Sequence, residues 1–267
     1  MSTTGKVAGI VSNLVTVQVD GPVAENELCY IETKGTKLLA EVIKVNADKA
    51  SVQVFESTRG LKGGDKVDFL GRMLEASLGP GLLSSVYDGL QNDLTTMTDV
   101  FLKRGEYTDP LDHEKMWDFT PLAKVGDKVQ AASWLGEVKE GWLPHKIMVP
   151  FRFNGEYTIK SIVEAGSYNI DHVIAVLTDE EGEDVNVTMV QKWPVKVAVK
   201  GYKEKPRPQK IMETGVRVID TFNPIAEGGT GFIPGPFGCG KTVLQPAIAK
   251  PGDADVIVLA ACGERAN

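Results

Sequence analysis

The residues best suited to chemistry are Gly235, Pro236, Phe237, Gly238, Cys239, Gly240, Lys241 and Thr242, which match a G-x-x-x-x-G-K-[ST] pattern position by position. A short apolar stretch precedes them and a helical stretch follows, the setting such a loop requires. Backbone N–H groups that curl around a β-phosphate need the steric freedom of Gly235, Gly238 and Gly240. The positive end of the following helix adds to their field. An ammonium at Lys241 suits the β- and γ-phosphates of a nucleoside triphosphate such as ATP, or the β-phosphate of ADP. The Thr242 hydroxyl suits one site on Mg²⁺, whose other ligands are mostly water and phosphate oxygen. Cys239 lies among the same donors, which favour a thiolate, so its modification would block phosphate entry. A small side chain that merely fits the loop accounts for it equally well.

A second pair, Glu264 and Arg265, follows the all-apolar run 256–261. Such runs read as strands buried on both faces, and in doubly wound sheets ligands sit beyond the carboxyl ends of the strands. The pair is therefore expected close to the loop. There a carboxylate can orient and deprotonate a water, and a guanidinium can meet the γ-phosphate. The plainer alternative is solvated surface charge. His113, His145 and His172 are too far apart for local ligand spacing, so no structural metal is expected. Asp48-Lys49-Ala50, in a predicted hairpin, resembles a lipoyl-attachment tripeptide but reads more simply as a solvated turn.

The elements that must position these residues fall into four segments. Residues 1–72 alternate valines with polar residues between turn signals, as at Val15, Val17 and Val19, and predict a small β-barrel. Residues 73–119 form a helical or loop connector, with Leu82, Leu83, Val86, Tyr87, Leu90 and Leu94 near helical spacing. Residues 120–192 read as an inserted β-rich module, with strands expected at 146–153, 157–163, 172–177 and 185–190. Residues 193–267 open with a Lys- and Pro-rich extended connector to Pro208 and continue as an incomplete α/β nucleotide-binding domain: loop, helix to about Lys250, then a parallel strand at 256–261. The fold class is thus multidomain α+β. Pro246 is expected to kink or shorten the helix.

Composition narrows the function. With 29 Lys and Arg against 36 Asp and Glu, the formal charge is −7, which argues against neutralising nucleic-acid phosphates or anionic lipid. The apolar runs are too short to span a bilayer and the N-terminus lacks a basic, apolar leader, so a membrane connection is expected only through a partner. Cys29, Cys239 and Cys262 are odd in number and widely spaced, which fits neither a disulfide framework nor zinc and suits a reducing cytoplasm.

With these features in view, the chain resembles the catalytic A subunits of V-type and archaeal A-type rotary ATPases. The resemblance is carried by the stretch from Gly79-Pro80-Gly81 through Tyr87-Asp88-Gly89-Leu90-Gln91, by the stretch from Gly215 to Phe222, by Ile233-Pro234 leading into the loop, and by Cys262-Gly263-Glu264-Arg265. It implies an N-terminal barrel, an inserted bulge and a nucleotide-binding domain. It implies too that A subunits alternate with non-catalytic B subunits in a hexamer around a central stalk, with peripheral stalks, on the cytoplasmic face of a membrane. Such a complex couples ATP hydrolysis or synthesis to H⁺ or Na⁺ movement. Carried over by residue, Lys241 and Thr242 match the phosphate and magnesium contacts, Glu264 the water-activating carboxylate and Arg265 the arginine beside the γ-phosphate. Phe237 and Gly238 match the family's loop. Pro246 and Ala266 depart from the pattern. The chain stops before the family's further magnesium aspartate, adenine pocket and helical domain, so the fragment alone is expected to be inactive. A soluble hexameric ATPase of helicase or terminator type and a non-catalytic interaction module are the competing readings.

Overall fold

The computed structural model describes residues 3–97, 101–199, 204, 206–236, 238–252 and 254–263. They belong to two compact units, residues 1–201 and 202–267.

The first unit begins with β1 (Thr4–Val11), β2 (Leu14–Val19), β3 (Leu28–Thr33), β4 (Thr36–Asn46), β5 (Lys49–Val54) and β6 (Lys66–Phe69), a closed barrel in the order β1-β2-β5-β4-β3-β6. The period-two pattern sends Val15, Val17, Val52 and Val54 inward, where they meet Val7, Ile31, Leu38, Ala40, Val42, Val67 and Phe69. β4 departs from alternation: every residue from Leu38 to Val42 is buried. Later residues of the same unit reach its outer side. The Leu39 N–H donates to the Tyr107 hydroxyl at 2.8 Å, and Lys196 Nζ lies 2.8 Å from Glu41 Oε1.

β7 (Glu75–Leu78) leads out of the barrel. The second module comprises β8 (Met116–Pro121), β9 (Lys128–Val129), β10 (Trp134–Glu140), β11 (Leu143–Met148), β12 (Tyr157–Ile162), β13 (Gly166–Asn169), β14 (Ala175–Thr178) and β15 (Asp184–Val187). Two antiparallel sheets, β11-β10-β8-β13 and β15-β14-β12-β9, enclose Phe119, Leu135, Val138, Ile147, Ile159, Ile174 and Leu177. β10 passes so close to Phe119 that a Cβ at Gly136 would sit 2.3 Å from the ring. β16 (Gln191–Pro194) then returns to pair with β7, tying exit to entry. β8 starts at Met116, so its sheet takes in residues that the sequence reading gave to the connector.

The connecting helix expected over Leu82 to Leu94 does not form. The segment is a series of turns with a single bridge between Tyr87 and Asp93. Local side chains outcompete the helix. The Asp88 carboxylate accepts from the backbone N–H groups of Leu90 and Asn92, Ser84 and Gln91 take positive φ, and Glu140 Oε1 accepts from the N–H groups of Gly81 and Leu83.

The second unit holds β17 (Ile211–Met212) paired antiparallel with β18 (Ile225–Ala226), and two helices, α1 (Arg217–Phe222) and α2 (Lys241–Ala249). Pro246 lies inside α2 without ending it. Its missing N–H removes only the bond that Thr242 would accept, and the Lys250 N–H closes onto the Pro246 carbonyl at 3.0 Å. The parallel strand expected at 256–261 is not formed. The run has no ladder partner among the described residues, and Val258 and Leu259 are 88% and 76% exposed. A strand needs neighbours on its edges. No helix among the described residues is long and apolar enough to cross a membrane.

Candidate functional site

The loop from Gly235 to Thr242 is built by backbone geometry at glycines. Gly238 has φ 82°, and Gly240, the residue that starts α2, has φ 87° and ψ 16°. A Cβ is disfavoured in both positions. Gly235 is needed for a different reason: a Cβ there would lie 2.3 Å from Cys239 Sγ. The Cys239 N–H reaches the Pro236 carbonyl at 3.4 Å, which closes the turn.

α2 begins with no side-chain cap and no acidic residue in its first turn. Its positive end is therefore not compensated by a cap or an acid of its own first turn. Lys241 Nζ donates to the Gly235 carbonyl at 2.6 Å, so the ammonium is drawn back across the loop. Thr242 is exposed at the same end. The structure thus brings Gly235, Pro236, Gly238, Cys239, Gly240, Lys241 and Thr242 together. Phe237, Glu264 and Arg265 lie outside the described residues.

Beside the loop, a cleft of about 1190 Å³ is lined by Met212, Ile219, Phe232, Leu244 and Ile248 among others. One anchor of this unit was not singled out in the sequence. Asp220 accepts from the Thr214 N–H and hydroxyl at 3.0 and 2.6 Å through Oδ1, and from the Gly215 N–H at 3.1 Å through Oδ2. These bonds, the Thr214 hydroxyl first, hold its carboxyl below the usual range. The available signal was a Thr-Gly step before a short helix with an acid in its first turn.

The three histidines, all in the first unit, have local partners. His113 bridges Asp171 at 2.6 Å and Asp109 at 3.1 Å, His145 meets Glu140 at 2.6 Å, and His172 stacks on Tyr168. Burial pushes the Cys29 thiol up to about 12, with Glu27 adding to it. No cluster of three or more potential metal ligands occurs among the described residues.

Three family models match. The ATP synthase alpha/beta family beta-barrel domain covers residues 7–71, the ATP synthase alpha/beta subunit barrel-sandwich domain covers 108–196, and the ATP synthase alpha/beta family nucleotide-binding domain covers 215–267. The V-type ATP synthase alpha chain of Borrelia garinii is 49% identical over 270 residues, covering 100% of this chain and 47% of the relative. That of Borreliella burgdorferi gives the same figures. The Treponema denticola protein of the same name is 48% identical over 268 residues, 99% of this chain and 46% of the relative. The chain therefore spans about half the length of these relatives.

Proposed function

The chain belongs to the ATP synthase alpha/beta family, with an N-terminal barrel, a β-rich extension and nucleotide-binding-domain sequence, and from that premise we propose that it is part of the catalytic, ATP-binding subunit of a rotary V/A-type ATPase. The observation that carries the reading is the ammonium of Lys241 held 2.6 Å from the Gly235 carbonyl, over a loop turned by two glycines of positive φ at the start of α2.

The residues present fit a nucleoside triphosphate. Gly238 and Gly240 have open space where a Cβ would stand, so backbone N–H groups can approach phosphate closely. Lys241 supplies a point charge to the β- and γ-phosphates and lowers the cost of gathering their negative charge. The exposed Thr242 hydroxyl is the group that would hold Mg²⁺, which when bound neutralises charge developing on the phosphate oxygens. Glu264 is assigned to orienting and deprotonating the attacking water, and Arg265 to the γ-phosphate.

The same reading places the subunit in a hexamer alternating with non-catalytic B subunits, with central and peripheral stalks. It sits on the cytoplasmic face of a membrane that it meets only through partners, and it couples its chemistry to H⁺ or Na⁺. Nucleic acid has no role. The 267-residue chain by itself should bind nucleotide weakly and not turn over, because the apolar run 256–259 stands exposed and gives the loop little support.

The test is phosphate release by the assembled complex with wild-type or Lys241→Ala subunit, beside Mg-ADP titration of the 267-residue chain. Lys241→Ala is expected to assemble and to lose nearly all turnover. An assembled Lys241→Ala complex with wild-type turnover refutes the assignment, and sustained turnover by the short chain refutes the expected inactivity.

A further inference from the structure

We propose that Asp220 is a positioning residue for the phosphate loop, acting through the turn at Thr214 and Gly215 and through Pro251 on the far end of α2. This rests on the nucleotide site proposed above.

Both oxygens of the Asp220 carboxylate are committed. Oδ1 receives the N–H and the hydroxyl of Thr214, a residue with 0% exposure, and Oδ2 receives the Gly215 N–H. A charged acceptor shared by three donors fixes the turn more firmly than neutral bonds do. Gly215 holds φ 69°, and a Cβ there would lie 3.4 Å from Pro251 Cβ and 3.6 Å from its Cγ. The clamped turn therefore faces Pro251 across a gap about one side-chain atom deep.

Pro251 follows directly on α2, whose last turn is closed by the Lys250 N–H on the Pro246 carbonyl. A nine-residue helix is a rod about 13 Å long. Its other end is Gly240 and Lys241. The same face is shared across a cleft: Ile219, beside Asp220, and Met212 line it together with Leu244 and Ile248 of α2. Releasing the turn at Thr214 and Gly215 thus frees one end of the rod whose other end carries the loop. Asparagine could accept at one oxygen only and would turn an NH₂ toward one of the donors.

The experiment uses the full-length protein in a Cys262→Ser background, which leaves Cys239 as the exposed thiol of these residues, Cys29 being buried. The alkylation rate of Cys239 without nucleotide reads the loop geometry, and the Kd for Mg-ADP reads its consequence. Asp220→Ala is expected to change the alkylation rate and to raise the Kd about three- to tenfold, with Asp220→Asn between it and wild type. Gly215→Ala should act in the same direction. The double variant should do no more than the stronger single one, because both act on one relay.

Wild-type alkylation and affinity in Asp220→Ala, or additive effects of Asp220→Ala and Gly215→Ala, overturn the proposal. If Asp220→Ala labels at the rate of denatured protein, Asp220→Asn carries the same criteria. The two readings fail separately. A wild-type protein that does not bind Mg-ADP refutes the nucleotide site, whereas the alkylation cycle decides the relay with no nucleotide present.

Discussion

Replacing Lys196 by methionine is expected to cost the first unit about 1–2 kcal/mol. Glu41 is 6% exposed on the outer side of β4, in register with Leu28 and Gln53 on the neighbouring strands. Its Oε1 forms no hydrogen bond, and Lys196 Nζ sits 2.8 Å away, off the line of such a bond, so the contact is one of charge. The same ammonium donates to Asn26 Oδ1 at 2.9 Å. Removing one member of a fully buried pair costs about 3–5 kcal/mol, and a surface pair contributes about 0–1. The Lys196 side chain is 47% exposed, which places this pair between those limits. In a unit of about 200 residues the corresponding fall in Tm is about 2–8 °C, readable by calorimetry. Hydrogen exchange should quicken at Asn26 and Val42, whose backbone groups bond across the covered face. Glu41→Gln combined with Lys196→Met should recover most of the loss, because no buried charge is then left without a partner. A Lys196→Met protein that melts within about 1 °C of wild type, or a double variant as unstable as the single, refutes the reasoning.

Protonated His113 should stabilise the extension. Its bond to Asp171, with Asp109 adding, holds the imidazole above its ordinary value, so the contribution is whole below about pH 6.5 and is lost as the pH rises through the folded value. Melts between pH 5.5 and 8.5, at steps of about half a unit, should show a slope that His113→Gln reduces, and an unchanged slope counts against it. Gly136→Ala should destabilise the extension by about 2–3 kcal/mol, since the new methyl meets the Phe119 ring at 2.3 Å and the Thr120 carbonyl at 2.7 Å. Denaturant midpoints check this, and a neutral result would mean that the neighbouring strands β8 and β10 part easily at this point. Saturating Mg-ADP should slow Cys239 alkylation in the full-length protein, because phosphate enters the cradle where Sγ lies against Gly235, and equal rates would place the nucleotide elsewhere.

The barrel was legible in the sequence because its valines alternate over strands long enough to fix a face, and the turns between them carry their own signals. The loop at Gly235 to Thr242 was legible for a related reason: its geometry is set by glycines close in sequence, at φ 82° and 87°, and needs little from afar. What the sequence did not reveal depends on partners distant along the chain. Leu82 to Leu94 has near-helical spacing, yet Glu140 and Asp88 take its backbone donors and leave turns. Glu41 sits at an outward position of β4 and is nonetheless buried, with Lys196, far along the chain, meeting it there. The run 256–261 has the composition of a buried strand but no ladder among the described residues, since a strand is defined by its neighbours rather than by its own residues. Asp220 became visible as an anchor once folding placed Thr214 and Gly215 against it and turned Gly215 toward Pro251. Periodicity and glycine spacing are properties of short segments and can be read in the chain itself, whereas burial of an outer face, capture of a backbone donor and support of a helix end require two segments to meet, which only the tertiary structure decides.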